Sequence, residues 1–209
     1  MERVLDVYKR PYDEDFPVVG MDESPRQLIR ETRTAIPRAA GRPERHDYEY
    51  ERCGTCNIFM ASEPLAGQRM VKLTEHRRKS DWAFFIQEIA QRYEKAERIT
   101  LVMDNLNTHG PGSLYETFAP EEAKALWDRF EFVYTPKHGS WLNMAEIEFS
   151  VLARRVLRRR IADEETLSGE IAALEAERNQ AGATIDWRFS TEDARIKMHY
   201  LYPANNQVD

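Results

Sequence analysis

The sequence predicts an α/β domain, a mixed β-sheet flanked by helices. Two observations carry that prediction. The apolar run from Ile99 to Met103 ends abruptly in Asp104-Asn105, as a buried strand of a parallel or mixed sheet does. Several strand-like stretches come first, including a hairpin, and helices and strands then alternate to the end of the chain. At 209 residues the chain is long enough for one domain with a real core.

Taken in order, FPVVGMDES (16–24) reads as a strand that ends in a carboxylate, Asp22. An Arg- and Pro-rich segment, about 25–46, has no strong periodicity and reads as an exposed basic arm. YEYER and CNIFMASEPL read as two strands joined by a tight turn at CGTC, and VKLTEH as a further strand. SDWAFFIQEIAQRYEKA fits a helix with Ser80 or Asp81 as N-cap and an apolar stripe at Trp82, Phe85, Ile86 and Ile89. The strand leading to Asp104 follows. APEEAKALWDRF is a short helix opened by Pro120, and FEFVYTP is another strand. SWLNMAEIEFSVLARRVLRRR reads as a long helix with Ala145, Phe149, Leu152 and Val156 on one face and Arg154, Arg155 and Arg158 opposite. A further helix runs through Leu167, Ile171 and Leu174, and an aromatic tail packs back on the domain.

Hydrophobic residues make up 42% of the chain and charged residues 32%, ordinary values for a globular protein. No stretch is long and apolar enough to span a membrane, and the charged start MERVLDVYKR is not a signal peptide, so a cytoplasmic location is expected. Thirty basic residues against 36 acidic ones give a net charge of −6, which argues mildly against a general nucleic-acid binder. The distribution matters more than the sum. Arg26, Arg30, Arg33, Arg38, Arg42 and Arg45 cluster in the arm, and Arg154, Arg155, Arg158, Arg159 and Arg160 near the end of the long helix. Local basic patches of this kind remain compatible with phosphate binding.

Asp22 and Asp104 at strand ends and Glu146 on the following helix can converge at one edge of a sheet. A single strand-end aspartate usually only starts a turn, so the reading depends on all three. Carboxylate oxygens suit Mg²⁺ or Mn²⁺, which bind one or two carboxylates together with water and phosphate oxygens. Two such ions about 4 Å apart stabilise the attacking and leaving oxygens of a phosphoryl displacement. The thiols Cys53 and Cys56 of CGTC supply only half of the roughly four ligands that a zinc site needs, so a structural turn is expected there.

VVGMDES, EYERCGTCNIFMASEPLAG, LVMDNLNTHGPGSLYETFAPEEA, FVYTPKHGSWLNMAEIEFSVL and DWRFSTEDARIK together resemble the catalytic domain of bacterial insertion-sequence transposases of the mariner-like superfamily. The ordered match runs from about residue 16 to 203. The resemblance implies an RNase H-like fold over residues 1–205 and an Asp-Asp-Glu triad at Asp22, Asp104 and Glu146. It also implies two divalent ions, Mg²⁺ or Mn²⁺, with cleavage of DNA at transposon ends and strand transfer into target DNA. Asn105 and His109 match the family's Asp-Asn-x-x-x-His signature, and Leu142, Asn143 and Glu146 its Leu-Asn-x-x-Glu pattern.

Glu148 competes with Glu146 for the third position. The two flank the apolar stripe on opposite sides, so only one can reach the cations, and the motif selects Glu146. The separation of Asp104 and Glu146, 146 − 104 = 42, is longer than the commonest spacing in the wider superfamily. Arg38, Arg42, Arg45, His109, His138, Arg154, Arg155 and Arg158 are the expected DNA contacts. Trp141, in TPKHGSW, stands beside His138 just before the helix. The implied partners are double-stranded DNA and a second copy of the chain, and the implied setting is a bacterial nucleoid. Family members carry a helix-turn-helix region before this domain, whereas here the triad begins almost at once. A remnant that binds DNA or protein without cutting, and a plain nuclease, are the competing readings.

Overall fold

The computed structural model describes residues 1–34, 36–43, 45 and 47–202. Ala35, Glu44 and His46 of the expected arm, and residues 203–205 of the expected domain, lie outside the described residues. The strands are β1 (Val18–Glu31), β2 (Tyr50–Glu63), β3 (Gln68–Thr74), β4 (Ile99–Met103) and β5 (Phe130–Tyr134). The helices are α1 (Glu2–Tyr8), α2 (Lys79–Arg92), α3 (Pro111–Thr117), α4 (Pro120–Asp128), α5 (Ala145–Arg155), α6 (Glu164–Gln180) and α7 (Thr191–Lys197). One sheet runs in the order β3-β2-β1-β4-β5. β1, β2 and β3 are antiparallel neighbours, while β4 lies parallel to both β1 and β5.

Side-chain alternation sorts the strands onto two cores. Val19, Met21, Phe59, Ala61, Ile99, Leu101 and Met103 face one layer, where Trp82, Phe85, Ile86 and Ile89 of α2 are fully buried. Burying side chains of this size contributes about 1.5–3 kcal/mol each. On the opposite face Ile58 and Met60 meet α5 and α6 through Ala145, Leu152, Val156, Leu167, Ile171 and Leu174. Val102 and Val133 on that face meet α1 and the tail through Val4, Leu5, Val7 and Ala194. Because β4 is covered on both faces, all five of its residues are buried, and four of them are apolar, Thr100 being the exception.

Several expected boundaries move. β1 does not stop near Asp22. It continues to Glu31, paired with β2 as a ribbon into the region expected to be an irregular arm. CGTC is not a turn, because β2 runs through it unbroken. Leu28 pairs with Gly54 and Ile29 with Arg52, so one extra residue bulges out on β2, and Gly54 takes a φ of +120°. Cys53 and Cys56 are free thiols. The bulge leaves the Ile29 N–H off the ladder, and it donates to the Ile161 carbonyl at 2.8 Å. The chain after α5 has therefore turned back to the sheet, and α5 ends at Arg155 rather than residue 160.

The N-cap of α2 is Arg78, and Asp81 accepts the Arg78 backbone N–H at 2.7 Å. Neither α1 nor α3 was expected. The aromatic tail does pack back: Trp187 meets Tyr8, and Thr191 donates to Asp6 at 2.9 Å. Among the described residues no helix is long and apolar enough to cross a membrane.

Candidate active site

β1 and β4 pair only as far as Gly20 and Val102. Beyond that point β1 continues without β4, at the carboxyl end of the parallel strands, where such sheets commonly present ligand-binding residues. Asp22 lies two residues past the last pair on β1, and Asp104 is the first residue after β4.

Gly20 brings in the third acid. A Cβ there would lie 3.0 Å from Asn143 Oδ1 and 3.3 Å from the Ala145 backbone nitrogen, so the absent side chain lets the start of α5 approach the sheet. Asn143, almost fully buried, locks that approach. Its Nδ2 donates to the Met21 carbonyl at 2.7 Å, and its Oδ1 accepts the Ala145 N–H at 3.1 Å. Tyr8 of α1 supports the same segment, donating its hydroxyl to the Leu142 carbonyl at 2.7 Å. Glu146 follows on the first turn of α5 and is exposed.

Asp22 senses the other two acids. Burial, and then repulsion from Glu146, Asp104 and Glu23, push the Asp22 carboxyl up to about 7, against a lowering hydrogen bond from the Glu23 N–H at 2.8 Å. Glu148 has a different fate. At 2% exposed, it accepts from Arg69 at 2.9 Å and from Arg178 at 2.8 and 3.0 Å. Burial raises its carboxyl, but the two guanidinium groups outweigh burial and hold it below the ordinary value. Glu148 therefore ties α5 to β3 and α6.

His109 departs from expectation. It is 2% exposed and cannot reach DNA directly. Its Nε2 lies 2.9 Å from Glu23 Oε2, its Nδ1 3.0 Å from the Asp104 main-chain carbonyl, and its ring stacks on Trp82 with centroids 5.6 Å apart. Nδ1 is also 2.7 Å from Asp104 Oδ1, yet that oxygen accepts no hydrogen bond and is itself buried. Burial pulls the imidazole down, but Asp104 and Glu23 prevail and push it up to about 9. Glu23, missed in the sequence, was recoverable from alternation: on a strand, neighbours Asp22 and Glu23 must face opposite sides of the sheet.

The other expected contacts lie apart. Arg38, Arg42 and Arg45 are exposed at the tip of the ribbon beyond β1, where Ala39 and Arg42 pair across a turn at Gly41. His138 is exposed on the loop after β5 with a φ of +62°, and Trp141 nearby is partly exposed and meets Phe189 edge-on. Arg154 and Arg158 are exposed without an ion pair among the described residues, although Arg158 lies past the end of α5. Arg155 is held bidentately by Glu177 at 2.7 and 2.8 Å, Arg159 pairs with Glu170, and Arg160 with Glu31. The basic stretch is thus largely neutralised by the domain's own acids.

Divalent cations fit this donor set. The carboxylates of Glu146, Asp104 and Glu23 add repulsion to the burial of Asp22, and a cation would relieve that repulsion. Among the described residues no three His, Cys, Asp or Glu side chains are arranged to hold one ion by themselves. Mg²⁺ ordinarily needs only one or two carboxylates, with water and phosphate oxygens completing its shell.

An RNase H-like sheet with acids gathered from β1, β4 and α5 defines a class of phosphoryl-transfer domains. The family model of DDE superfamily endonucleases matches residues 17–168, and the chain belongs to that family. The fold is shared with a Mos1 mariner paired-end complex with Mg, at TM-score 0.64 and 14% identity over 97% of this chain and 60% of that one. A pre-cleavage Mos1 transpososome matches at TM-score 0.57 and 15% identity, over 87% of this chain and 56% of that one. A Mos1 paired-end complex with left transposon end matches at TM-score 0.57 and 14% identity, over 87% and 55%. The chain thus spans between about half and two thirds of the length of these solved chains. No curated protein sequence matches it.

Proposed function

We propose that this chain is the catalytic domain of a DDE-type DNA transposase, cutting at transposon ends and joining the freed 3′-hydroxyl to target DNA. The observation that carries the reading is the proximity of Asp22, Asp104 and Glu146, with Asp22 pushed up first by burial and then by the acids around it. The Mn- and Mg-containing Mos1 complexes support divalent cations as the cofactor. Two ions, when bound, would activate the attacking oxygen and offset charge on the phosphodiester. Asp22 and Asp104 would hold both ions or bridge them, and Glu146 would complete the second site. No protein side chain need act as general base.

Duplex DNA is the proposed partner, engaged by two copies of the chain, and the paired-end complexes of the Mos1 relatives support that assembly. The phosphate contacts proposed are Arg38, Arg42 and Arg45 on the ribbon tip, His138 on the loop after β5, and Arg154 and Arg158. Arg155, neutralised by Glu177, is not among them.

The test is nicking of supercoiled plasmid and joining of labelled transposon-end duplexes, with Mg²⁺ or Mn²⁺. Asp22→Asn, Asp104→Asn and Glu146→Gln are each expected to abolish both reactions while leaving the fold intact. Nicking without joining would reduce the chain to a nuclease. Cleavage retained in the Glu146 variant would remove that residue from the site.

A further inference from the structure

Glu23 and His109 have no part in the triad, yet they form a buried polar pair beside Asp104. Both side chains are almost completely shielded from water, at 1% and 0% exposed. Burying a carboxylate is expensive unless it is paired, so its partner is informative. His109 Nε2 faces Glu23 Oε2 at 2.9 Å. Nδ1 faces two acceptors, the Asp104 carbonyl at 3.0 Å and Asp104 Oδ1 at 2.7 Å. Neither ring nitrogen meets a donor, so the geometry suits an imidazolium with both N–H groups directed at oxygens. Trp82 lies flat against the ring, and the Tyr134 hydroxyl donates to the His109 carbonyl at 2.9 Å. Arg77 Nε, 3.6 Å from Glu23 Oε1, closes the far end of the row.

The consequence falls on Asp104. Its Oδ1 is buried against His109 although the side chain as a whole is 34% exposed, so the exposed part lies on the remainder of the group. Asp104 is therefore turned one way, with Oδ2 as its available oxygen.

We propose that Glu23 and His109 are positioning residues that hold Asp104 in a single orientation for cation binding, Glu23 acting through His109 and never touching the substrate. This rests on the transposase reading above, and it assigns a task to a buried acid on the opposite face of the sheet from Asp22. Groups that orient a metal ligand in this way typically change metal affinity 10- to 100-fold when removed.

The experiment measures Mn²⁺ affinity of the DNA-free chain by the paramagnetic resonance signal of the free ion. Thermal unfolding and plasmid nicking are measured on the same preparations. Glu23→Gln keeps the side-chain shape and removes the charge; His109→Gln keeps a polar group of similar reach. Each is expected to weaken Mn²⁺ binding at least tenfold and to lower kcat more than it raises KM for DNA. Raising Mn²⁺ should restore part of the nicking rate, a response that a purely structural defect would not show. Arg77→Ala, at the exposed end of the row, should fold as the parent does and give a smaller shift in the same direction. If the Gln variants do not fold, a Mn²⁺ affinity for Arg77→Ala equal to the parent's overturns the proposal. Folded Gln variants that bind Mn²⁺ and nick like the parent also overturn it while leaving the transposase reading standing. A parent chain that neither binds Mn²⁺ nor nicks removes that reading, and the proposal with it.

Discussion

Replacing Asp22 by Asn should make the cation-free protein more stable, and by an amount that depends on pH. The Asp22 carboxyl is pushed up to about 7, from an ordinary value of 3.8, first by burial and then by Glu146, Asp104 and Glu23. Between those two values the folded chain binds a proton that the unfolded chain has released. Stability therefore falls as pH rises through this window and stays reduced above it. One unit of pKa corresponds to about 1.4 kcal/mol, so the Asp22 carboxyl costs the fold on the order of 4 kcal/mol near pH 8, where it is ionised, and roughly 1.5 near pH 5, where folding must take up a proton. The amide introduced by Asp22→Asn carries no charge, and its oxygen can still accept the Glu23 N–H. For a chain of this length each kcal/mol moves Tm by about 2–4 °C, so a rise of roughly 10 °C is expected at pH 8 with chelator present. The gain should shrink to about a third at pH 5. Saturating Mg²⁺ should raise the Tm of the parent at pH 8 and leave Asp22→Asn nearly unchanged. Thermal and urea unfolding at the two pH values provide the measurement. A variant no more stable than the parent at pH 8, or a gain independent of pH, would refute the crowded-carboxylate account.

Glu148→Gln leaves Arg69 and Arg178 facing a neutral amide in a buried pocket, and such a change typically costs about 3–5 kcal/mol. Urea unfolding should show that deficit, while the protein that remains folded keeps its Mn²⁺ affinity and substantial nicking activity. The triple variant of Arg38, Arg42 and Arg45 to Ala should flatten the dependence of log DNA affinity on log salt by up to about 0.9 for each phosphate that is no longer neutralised. Arg155→Ala should leave that slope unchanged, because Glu177 already occupies its guanidinium. A slope reduced equally by both would mean that the Arg155 pair opens on DNA.

The sequence by itself determined the elements whose pattern is local and strong. Trp82, Phe85, Ile86 and Ile89 recur at helical spacing, and the burial of that stripe follows from its periodicity alone. The run from Ile99 to Met103 is apolar but for Thr100, which marks a strand covered on both faces. Asp22, Asp104 and Glu146 stand in short, contiguous motifs, so they can be proposed without the fold. Tertiary structure decided what depends on partners distant in the chain. CGTC reads as a turn in isolation, yet pairing with β1 over its whole length holds β2 straight and makes the extra residue a bulge. Glu146 and Glu148 look equivalent on a helical wheel. Arg69 and Arg178, 79 and 30 residues from Glu148, claim that one, while Glu146 stays exposed on the first turn of α5. His109 reads as a surface loop residue, but Glu23, 86 residues earlier, lies beside it under the face of Trp82. Spacing and polarity report which residues can share a face. Which charge is buried and paired is set by contacts between strands and helices far apart in sequence, and no local pattern encodes those contacts.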